Sequence, residues 1–432
     1  MKRIYKAIFI DTPSLGQLRI YNPGFLTVTE DGKIENFSDK IKDEELKIGE
    51  LIDFGNRIVV PGFIDTHTHL SQHAFAGIGG PPLLPWLQTY TFPQELRFND
   101  ADIARKEASI FFDSCLKLGT TTVVAYVTSN TEATNIAFEE AQKSGIRAWI
   151  GKVLMDEGAP TGLLQNTDLA IEENEKLIQK WLNNHKLSSI ISPRFALSCS
   201  RGLMREAAKQ AAQFDLFIQT HLSENNDEIL AVQKSYSEFN SYTDLYYKMG
   251  LLGSKTLLGH CIHLVENEKK LLIESKSVVV HCPSSNRFLA SGSMELKKYL
   301  QEGIRVSLGS DVAAGYSLSM ANEAKEAIET SKIFKNPLQL GEALYLATHS
   351  GAKALGISHK CGWFNKGNDA DFVVINDYAS HPLMQNNLIG NESQMKMPYN
   401  SPEHRLARIF YRFSADSIER TYVSGVAHHI LS

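Results

Sequence analysis

The stretch Pro61-Gly-Phe-Ile-Asp-Thr-His67-Thr-His69 joins an apolar run to two histidines that stand two residues apart. Side chains two apart on a β-strand point to the same face, so both imidazoles would reach one metal ion. By itself such a pair is weak evidence, because a chain with 14 histidines contains one by chance fairly often. Its position at the end of a strand strengthens the evidence, since (β/α)8 barrels hold their catalytic groups at the carboxyl ends of the strands.

Eight apolar, β-branched runs alternate with amphipathic stretches along the middle of the chain. The runs are Ile58–Thr66, Thr120–Thr128, Arg147–Met155, Ile190–Leu197, Leu216–Leu222, Thr256–Ile262, Ser277–Cys282 and Arg305–Ser310. The helical stretches include Ala101–Leu118, Asp168–His185 and Glu266–Glu274. This alternation predicts an α/β fold with a (β/α)8 TIM-like barrel over residues 58–361. A doubly wound sheet is disfavoured because no G-x-G-x-x-G follows the first strand.

Both ends of the chain have the pattern of short strands joined by turns. The strand-like runs are Tyr5–Ile10, Phe25–Glu30, Lys33–Phe37 and Phe372–Asn376. Asp31-Gly32 has the composition of a hairpin turn. We therefore expect residues 1–57 and 362–432 to form one small β-sandwich beside the barrel.

Composition excludes several classes of protein. Apolar residues make up 43% and charged residues 22% of the chain, and these fractions argue against wholesale disorder. The net charge of −5 argues against nucleic acid or an anionic membrane as a partner. No uncharged apolar stretch of about 18 residues occurs, so no transmembrane helix is expected, and the apolar start is broken at Lys6, too early for a signal peptide. Five scattered cysteines without a C-x-x-C pair predict thiols in a reducing cytosol, hence a cytoplasmic protein.

Three later strands of the predicted barrel also end in polar side chains. The fifth ends in Gln219-Thr-His221-Leu-Ser-Glu224, the sixth in Leu258-Gly-His260-Cys and the eighth in Leu308-Gly-Ser-Asp311. Each residue alone is more often a hydrogen-bonded core histidine or a helix N-cap. Together, histidine and carboxylate groups that converge around an ion with an open coordination position are what a catalytic zinc site requires.

These motifs, with His-Cys-Pro-Ser-Ser-Asn286, resemble the amidohydrolase superfamily in the same order and over essentially the whole chain. The resemblance implies one zinc ion, for which iron is an alternative, held by four ligands: His67, His69, His221 and Asp311. It also implies that His260 contacts the reactive water. The predicted fourth strand contains no lysine, and this favours the single-metal branch of the superfamily over the branch that bridges two ions with a carboxylated lysine.

Longer local motifs resemble one family within that branch, the guanine deaminases. They span His69–Gly77, Pro82–Phe98, Pro193–Ser200 and Gly309–Met320. The resemblance implies guanine as the substrate, deaminated at C2 to xanthine and ammonia, and a homodimer. The implied substrate contacts are Gln72, Arg194, Phe195, Glu224 and Asp311.

The chemistry of these residues agrees with a planar purine. Arg194 can donate a pair of hydrogen bonds to a ring carbonyl edge, Phe195 can pack on a ring face, and Gln72 can both donate and accept. A structural salt bridge for Arg194 and simple surface exposure for Gln72 are the competing interpretations.

The resemblance implies three catalytic residues, Glu224, His260 and Asp311. Zinc would lower the pKa of its water toward about 7, Asp311 would accept the proton of that water, and His260 would orient it. Glu224 would then pass a proton to the ring nitrogen next to the attacked carbon.

Competing hypotheses are a cytosine deaminase, another aminopurine deaminase, a triazine hydrolase and an inactive scaffold. Trp86 and Phe92 fit either a lid over the site or core packing, and His281 fits either a contact with the pocket or a supporting or structural role.

Overall fold

The computed structural model of the protein describes residues 2–379 and 400–431. Within them, strands β1 to β17 span, in chain order, Arg3–Ser14, Gln17–Val28, Ile34–Ser38, Glu50–Pro61, Phe63–His69, Thr120–Tyr126, Arg147–Gly151, Val153–Leu154, Leu187–Ser189, Ser192–Pro193, Ile218–Leu222, Thr256–His260, Val278–His281, Arg305–Leu308, Phe372–Ile375, Ile418–Val423 and Val426–Ile430. The α-helices of the same residues are Asp43–Ile48, Leu83–Trp86, Phe92–Arg97, Ala101–Lys117, Thr131–Ser144, Thr167–Trp181, Arg201–Phe214, Asn226–Ser235, Tyr242–Met249, Glu266–Ser275, Pro283–Phe288, Leu296–Gln301, Met320–Ile333, Leu340–Ala347, His349–Ala354 and Pro402–Tyr411.

The middle of the chain forms two four-stranded sheets in which every pairing is parallel. Their orders are β5-β6-β7-β9 and β11-β12-β13-β14. The strands are buried and separated by helices, as expected for parallel sheets that are covered on both faces. Each of the eight predicted runs contains or adjoins one of these strands, so the alternating α/β pattern is confirmed.

The two sheets are linked by backbone hydrogen bonds at both of their edges. Next to β5, the Asp311 amide donates to the His67 carbonyl at 2.8 Å, and the His69 amide donates to the Val312 carbonyl at 3.1 Å. On the other side, the Ile191 amide donates to the Phe217 carbonyl at 2.9 Å. The first two bonds hold the carboxyl ends of β5 and β14 together, and the third links the segment after β9 to the residue before β11.

Two predicted runs differ from the observed strands. The run Ile58–Thr66 is divided at Gly62, because β4 pairs with β1 and β15 while β5 begins the parallel sheet. The side chain of Thr121 packs so closely against Gly62 that a Cβ on Gly62 would lie 2.1 Å from Oγ1 of Thr121. The predicted fourth strand, 190–197, is replaced by two short strands, β9 and β10. The proline in β10 has no N–H to extend a ladder.

Both ends of the chain meet in one seven-stranded sheet of order β17-β16-β15-β4-β1-β2-β3. Its buried aromatic residues pack together, with the Phe372 and Tyr422 rings stacked 4.3 Å apart and the Tyr5 ring 5.0 Å from Phe372. The predicted meeting of the two ends is therefore confirmed. Residues 380–399 of the predicted tail lie outside the described residues.

All five cysteines, Cys115, Cys199, Cys261, Cys282 and Cys361, are buried and form no disulfide. Among the helices of the described ranges, none is both long and apolar enough to span a membrane.

A buried ion cluster joins the parallel sheet to the sheet of the chain ends. Arg147, the first residue of β7, places Nη2 2.9 Å from a carboxylate oxygen of Asp369 and 2.9 Å from one of Asp371. The Arg147 side chain is only 4% exposed. Removal of one partner from such a cluster leaves buried charge without compensation.

We predict that Arg147→Met lowers the free energy of unfolding by about 3–5 kcal/mol, because Asp371 stays buried without its partner. Arg105→Met is the matched control: Arg105 also contacts two carboxylates but is 43% exposed, and solvent screens such surface pairs so that they contribute little to stability. Urea titration of both variants measures the difference. Equal losses in the two variants would show that the buried cluster adds no special stability.

Candidate active site

Three histidines and one aspartate converge where the two parallel sheets meet. His67 and His69 are the fifth and seventh residues of β5, His221 lies near the end of β11, and Asp311 follows β14. Oδ1 of Asp311 is 3.3 Å from Nε2 of His67 and 3.3 Å from Nε2 of His69. Nε2 of His69 is 3.2 Å from Nε2 of His221. The alternation of side chains along β5 therefore aims both of its histidines at one point, as predicted.

The donor atoms fit a metal ion in number, distance and type. Those of His67, His221, His260 and Asp311 all lie within 4.8 Å of one another. His69 stands outside this quartet, yet it contacts both His221 and Asp311. Nε2 of His67 is buried and lies 3.3 Å from Oδ1 of Asp311, so both atoms face the same point. Imidazole nitrogens with a carboxylate suit a divalent transition metal.

The ionisation states also fit metal ligation, which needs neutral imidazoles and an ionised carboxylate. Burial lowers the pKa of His67, lowers that of His69 to about 3 and lowers that of His221 well below its ordinary range. Burial alone would raise the pKa of Asp311, but the charge on His260 and hydrogen bonds from His67 and His69 hold it well below its usual value.

Hydrogen bonds to neighbouring groups fix the orientation of these ligands. Nδ1 of His221 lies 2.7 Å from the Arg194 carbonyl, which can only accept, so this ring carries its proton on Nδ1 and leaves Nε2 free. The Ser285 hydroxyl lies 2.5 Å from Oδ2 of Asp311. Asp65 accepts hydrogen bonds from the amides of His67 and Ser310 at 3.2 and 3.0 Å, so it ties β5 to the loop after β14.

His260 and Glu224 form a second pair beside this cluster. Nε2 of His260 is 3.3 Å from Oε2 of Glu224 and 3.7 Å from Oδ2 of Asp311, and its Nδ1 is 2.9 Å from Oδ1 of Asn286. Ser291 donates a hydrogen bond to Glu224 at 3.1 Å. Burial raises the pKa of Glu224 to about 7. The pair can therefore hold and move a proton near neutral pH.

The cluster opens into a pocket with about 410 Å³ of empty space. Its polar lining includes His69, His221, His260, Asp311, Glu224, Glu228, Gln72 and Arg194. Its apolar lining includes Leu83, Trp86, Leu87, Phe195, Leu289 and Ala314. An apolar slot with a few converging polar groups suits a small planar molecule.

The structure brings every predicted site residue to this pocket or to the cluster at its base. Gln72 and Arg194 are both buried, so the surface-exposure interpretation of Gln72 is wrong. Arg194 fits both interpretations, the substrate contact and the structural salt bridge, because it lines the pocket and also pairs with Glu95 at 2.7 Å. Trp86 forms part of the pocket wall, while Phe92 lies beneath the Arg194 guanidinium with its ring centre 5.5 Å from Cζ.

Other residues emerge only from the structure. Asp65, Glu95, Ser285, Asn286 and Ser291 each bond to a predicted site residue. Four of them, all except Ser291, stand inside motifs that the sequence analysis quoted, but no spacing distinguished them from packing residues. His281 is buried outside the pocket lining, and among the described residues neither of its ring nitrogens has a hydrogen-bond partner.

Comparison with known proteins agrees with this geometry. Residues 58–427 match the model of the amidohydrolase family. The chain is 35% identical to the guanine deaminase of Escherichia coli (strain K12), with 96% of this chain and 94% of that protein covered, and 35% identical to that of Dictyostelium discoideum, with 88% and 90% covered. A solved structure of guanine deaminase from C. acetobutylicum with bound guanine in its active site superposes with a TM-score of 0.92 at 36% identity, over 99% of this chain and 100% of that one.

We predict that the purified protein binds a divalent metal and that His67→Ala and His221→Ala each weaken its retention by about 10–100-fold or more. The physical reason is the loss of a neutral nitrogen donor from a preformed cluster. Elemental analysis after dialysis against increasing chelator concentrations measures retention. His281→Ala is the control, because it removes a buried histidine that does not contribute to the quartet. Equal metal loss in all three variants would contradict the assigned cluster.

Proposed function

The chain belongs to the amidohydrolase family, and we infer that it is a guanine deaminase, which hydrolyses guanine to xanthine and ammonia. The observation that carries this inference is that one pocket contains both the histidine–aspartate cluster and the polar side chains of Arg194 and Gln72. One end of the pocket supplies hydrolytic groups and the other supplies hydrogen bonds for a ring edge. Relatives of the same length, about 35% identical over nearly the whole chain, are guanine deaminases.

We propose that His67, His69, His221 and Asp311 hold one zinc ion. Nitrogen and oxygen donors of this kind suit zinc, and iron accepts the same set. The buried Nε2 of His67 lies 3.3 Å from Oδ1 of Asp311, and this convergence supports a ligand role for both residues. When bound, such an ion acidifies a water molecule and polarises the group under attack. His260, which also belongs to the compact quartet, is held by Asn286 and stays available to orient that water.

The protonatable residues then divide the acid–base work. Asp311 accepts a proton through Oδ2, the oxygen that faces His260. Glu224 transfers a proton to the ring nitrogen beside C2, and its hydrogen bond from Ser291 keeps the carboxyl group turned into the pocket. The oxygen of the water bonds to C2, and the bond between C2 and the 2-amino group breaks. The proton held by Asp311 leaves with that group as ammonia, and the hydroxyl proton of the adduct returns to Glu224. Positioned acid–base groups of this type contribute about 10²–10⁴-fold to a rate.

Arg194, Gln72 and Phe195 complete the proposed substrate site. Arg194 can donate to the 6-carbonyl of guanine, and Gln72 can bond to the adjacent ring N–H. Phe195 packs along the wall of the slot together with Trp86. The purine then lies with C2 toward the cluster and its carbonyl edge toward Arg194.

We further propose that the two parallel sheets close into a (β/α)8 barrel. The backbone bonds between the His67–His69 segment and Asp311–Val312 support closure on one side, and those between Ile191 and β11 support it on the other. We also propose the division into residues 1–57, 58–361 and 362–432, with a β-sandwich at the ends, and the seven-stranded sheet shared by both ends of the chain supports it. The free, buried cysteines agree with a reducing cytoplasmic location. The homodimer stays a prediction of the family resemblance.

We predict that Glu224→Gln retains the metal but loses about 10²–10⁴-fold in turnover, because the amide cannot transfer the proton. Ammonia release from guanine measures turnover, and elemental analysis measures the metal. Glu268→Gln is the matched control, since Glu268 is also a buried glutamate but lies outside the pocket lining, where it accepts amide hydrogen bonds from Thr243 and Val265. Normal turnover by the Glu224 variant would exclude the assigned role.

A substrate panel tests the function itself. Purified protein is incubated with guanine, adenine or cytosine, and ammonia is followed over time. We expect release from guanine. Release from another base with none from guanine would transfer the function to a different deaminase of the same family.

A further inference from the structure

Behind the pocket wall, one carboxylate holds both of the polar side chains that form the proposed ring-recognition edge. Oε1 of Glu95 accepts from Nη1 of Arg194 at 2.7 Å and from Nε2 of Gln72 at 3.1 Å. Glu95 is fully buried and is not part of the pocket lining, whereas Arg194 and Gln72 are. It therefore contacts the side chains that would touch the substrate, but not the substrate itself.

The chemistry of a carboxylate fixes the orientation of the Gln72 amide. A carboxylate paired with a guanidinium only accepts hydrogen bonds, so Gln72 must turn its NH₂ group toward Glu95. The same side chain lines the pocket, and the end that remains for a ligand is the carbonyl oxygen, Oε1. Gln72, which could otherwise donate or accept, is in this way restricted to accepting from the substrate.

Glu95 also restricts the guanidinium of Arg194. Its Nη1 is engaged by Glu95, and its face lies over Phe92, with Cζ 5.5 Å from the ring centre. A guanidinium held at one nitrogen and at one face directs its remaining N–H groups in a fixed plane. The edge presented to the pocket is thus a fixed pair of a donor, Arg194, and an acceptor, Gln72.

We propose that Glu95 is a specificity-determining positioning residue that sets this donor–acceptor polarity and so selects 6-oxopurines over 6-aminopurines. This inference rests on the proposed function. A 6-oxopurine offers a carbonyl acceptor beside an N1–H donor, which is complementary to Arg194 and Gln72. A 6-aminopurine has a donor at position 6 and an acceptor at N1. Its amino group would meet the donor Arg194, and its N1 would meet the acceptor Gln72. A site with such buried, unpaired groups strongly rejects that ring.

The test compares guanine with 2,6-diaminopurine, which keeps the 2-amino group but has a 6-amino group and an unprotonated N1. We expect Glu95→Gln to reduce the ratio of kcat/KM for guanine to kcat/KM for 2,6-diaminopurine by about tenfold or more, because the Gln72 amide becomes free to reverse. Metal content should stay at the wild-type level. If 2,6-diaminopurine turns over too slowly, its inhibition constant against guanine replaces its kcat/KM.

Glu107→Gln is a matched control. Glu107 makes the same type of contact outside the pocket, since it accepts from Gln94 at 2.8 Å and lies 3.3 Å from Arg97. We expect its substrate ratio to equal that of the wild type. If Glu95→Gln weakens catalysis with both purines equally and leaves the ratio within about twofold, Glu95 is only a packing residue and the proposal is overturned.

An exchange variant covers the case in which Glu95→Gln does not fold. Gln72→Glu combined with Glu95→Gln keeps one carboxylate and one amide beside Arg194, and an oxygen still faces the pocket. We expect this variant to prefer guanine, and a preference for 2,6-diaminopurine would overturn the proposal. A wild-type protein that releases no ammonia from guanine would instead refute the proposed function.

Discussion

The negative charge of Asp311 is buried among histidine rings, and the stabilisation of this charge is the constraint on which the site depends. Burial keeps His67, His69 and His221 neutral. The charge on His260 and hydrogen bonds from His67 and His69 stabilise the ionised carboxylate, although Glu224 competes for the imidazole of His260. Transfer of a charge from water into such surroundings costs several kcal/mol. A divalent cation at the cluster would offset this cost further, so the local electrostatics favour the binding of a metal ion.

Holding the ligands in place requires unusual backbone at the strand ends. Four residues that are not glycine have positive φ beside the pocket: Ser223 (49°), His260 (70°), Cys261 (53°) and Asp311 (48°). Such conformations cost of order 1–3 kcal/mol each and persist only where the surroundings fix them. The surroundings here are the amide of Asp311 on the His67 carbonyl and the amide of Cys261 on the Leu222 carbonyl. Strain at the ends of the strands is thus balanced by bonds between neighbouring strands.

The sequence predicted those parts of the structure that depend on local periodicity. The alternation of strands and helices, and the shared face of His67 and His69, follow from side-chain spacing along one element. The division at Gly62 could not be predicted in this way, because it depends on the close approach of Thr121 from another strand. The same holds for Glu95 and Asn286, which lie 99 and 26 residues from the partners that they fix. Contacts of this range leave no periodic trace in a single sequence.

The two ends of the pocket differ in their electrostatics. At the cluster, an ionised carboxylate lies among neutral imidazoles, an arrangement that suits a divalent cation, and the adjacent Glu224–His260 pair can hold a proton. At the opposite end, Glu95 neutralises Arg194 before any ligand arrives, so a neutral purine meets no net charge there. Recognition at that end must then depend on the direction of hydrogen bonds rather than on charge. Such a site discriminates by leaving buried polar groups unpaired when the wrong ring enters, which is the form of selectivity that an apolar slot alone does not provide.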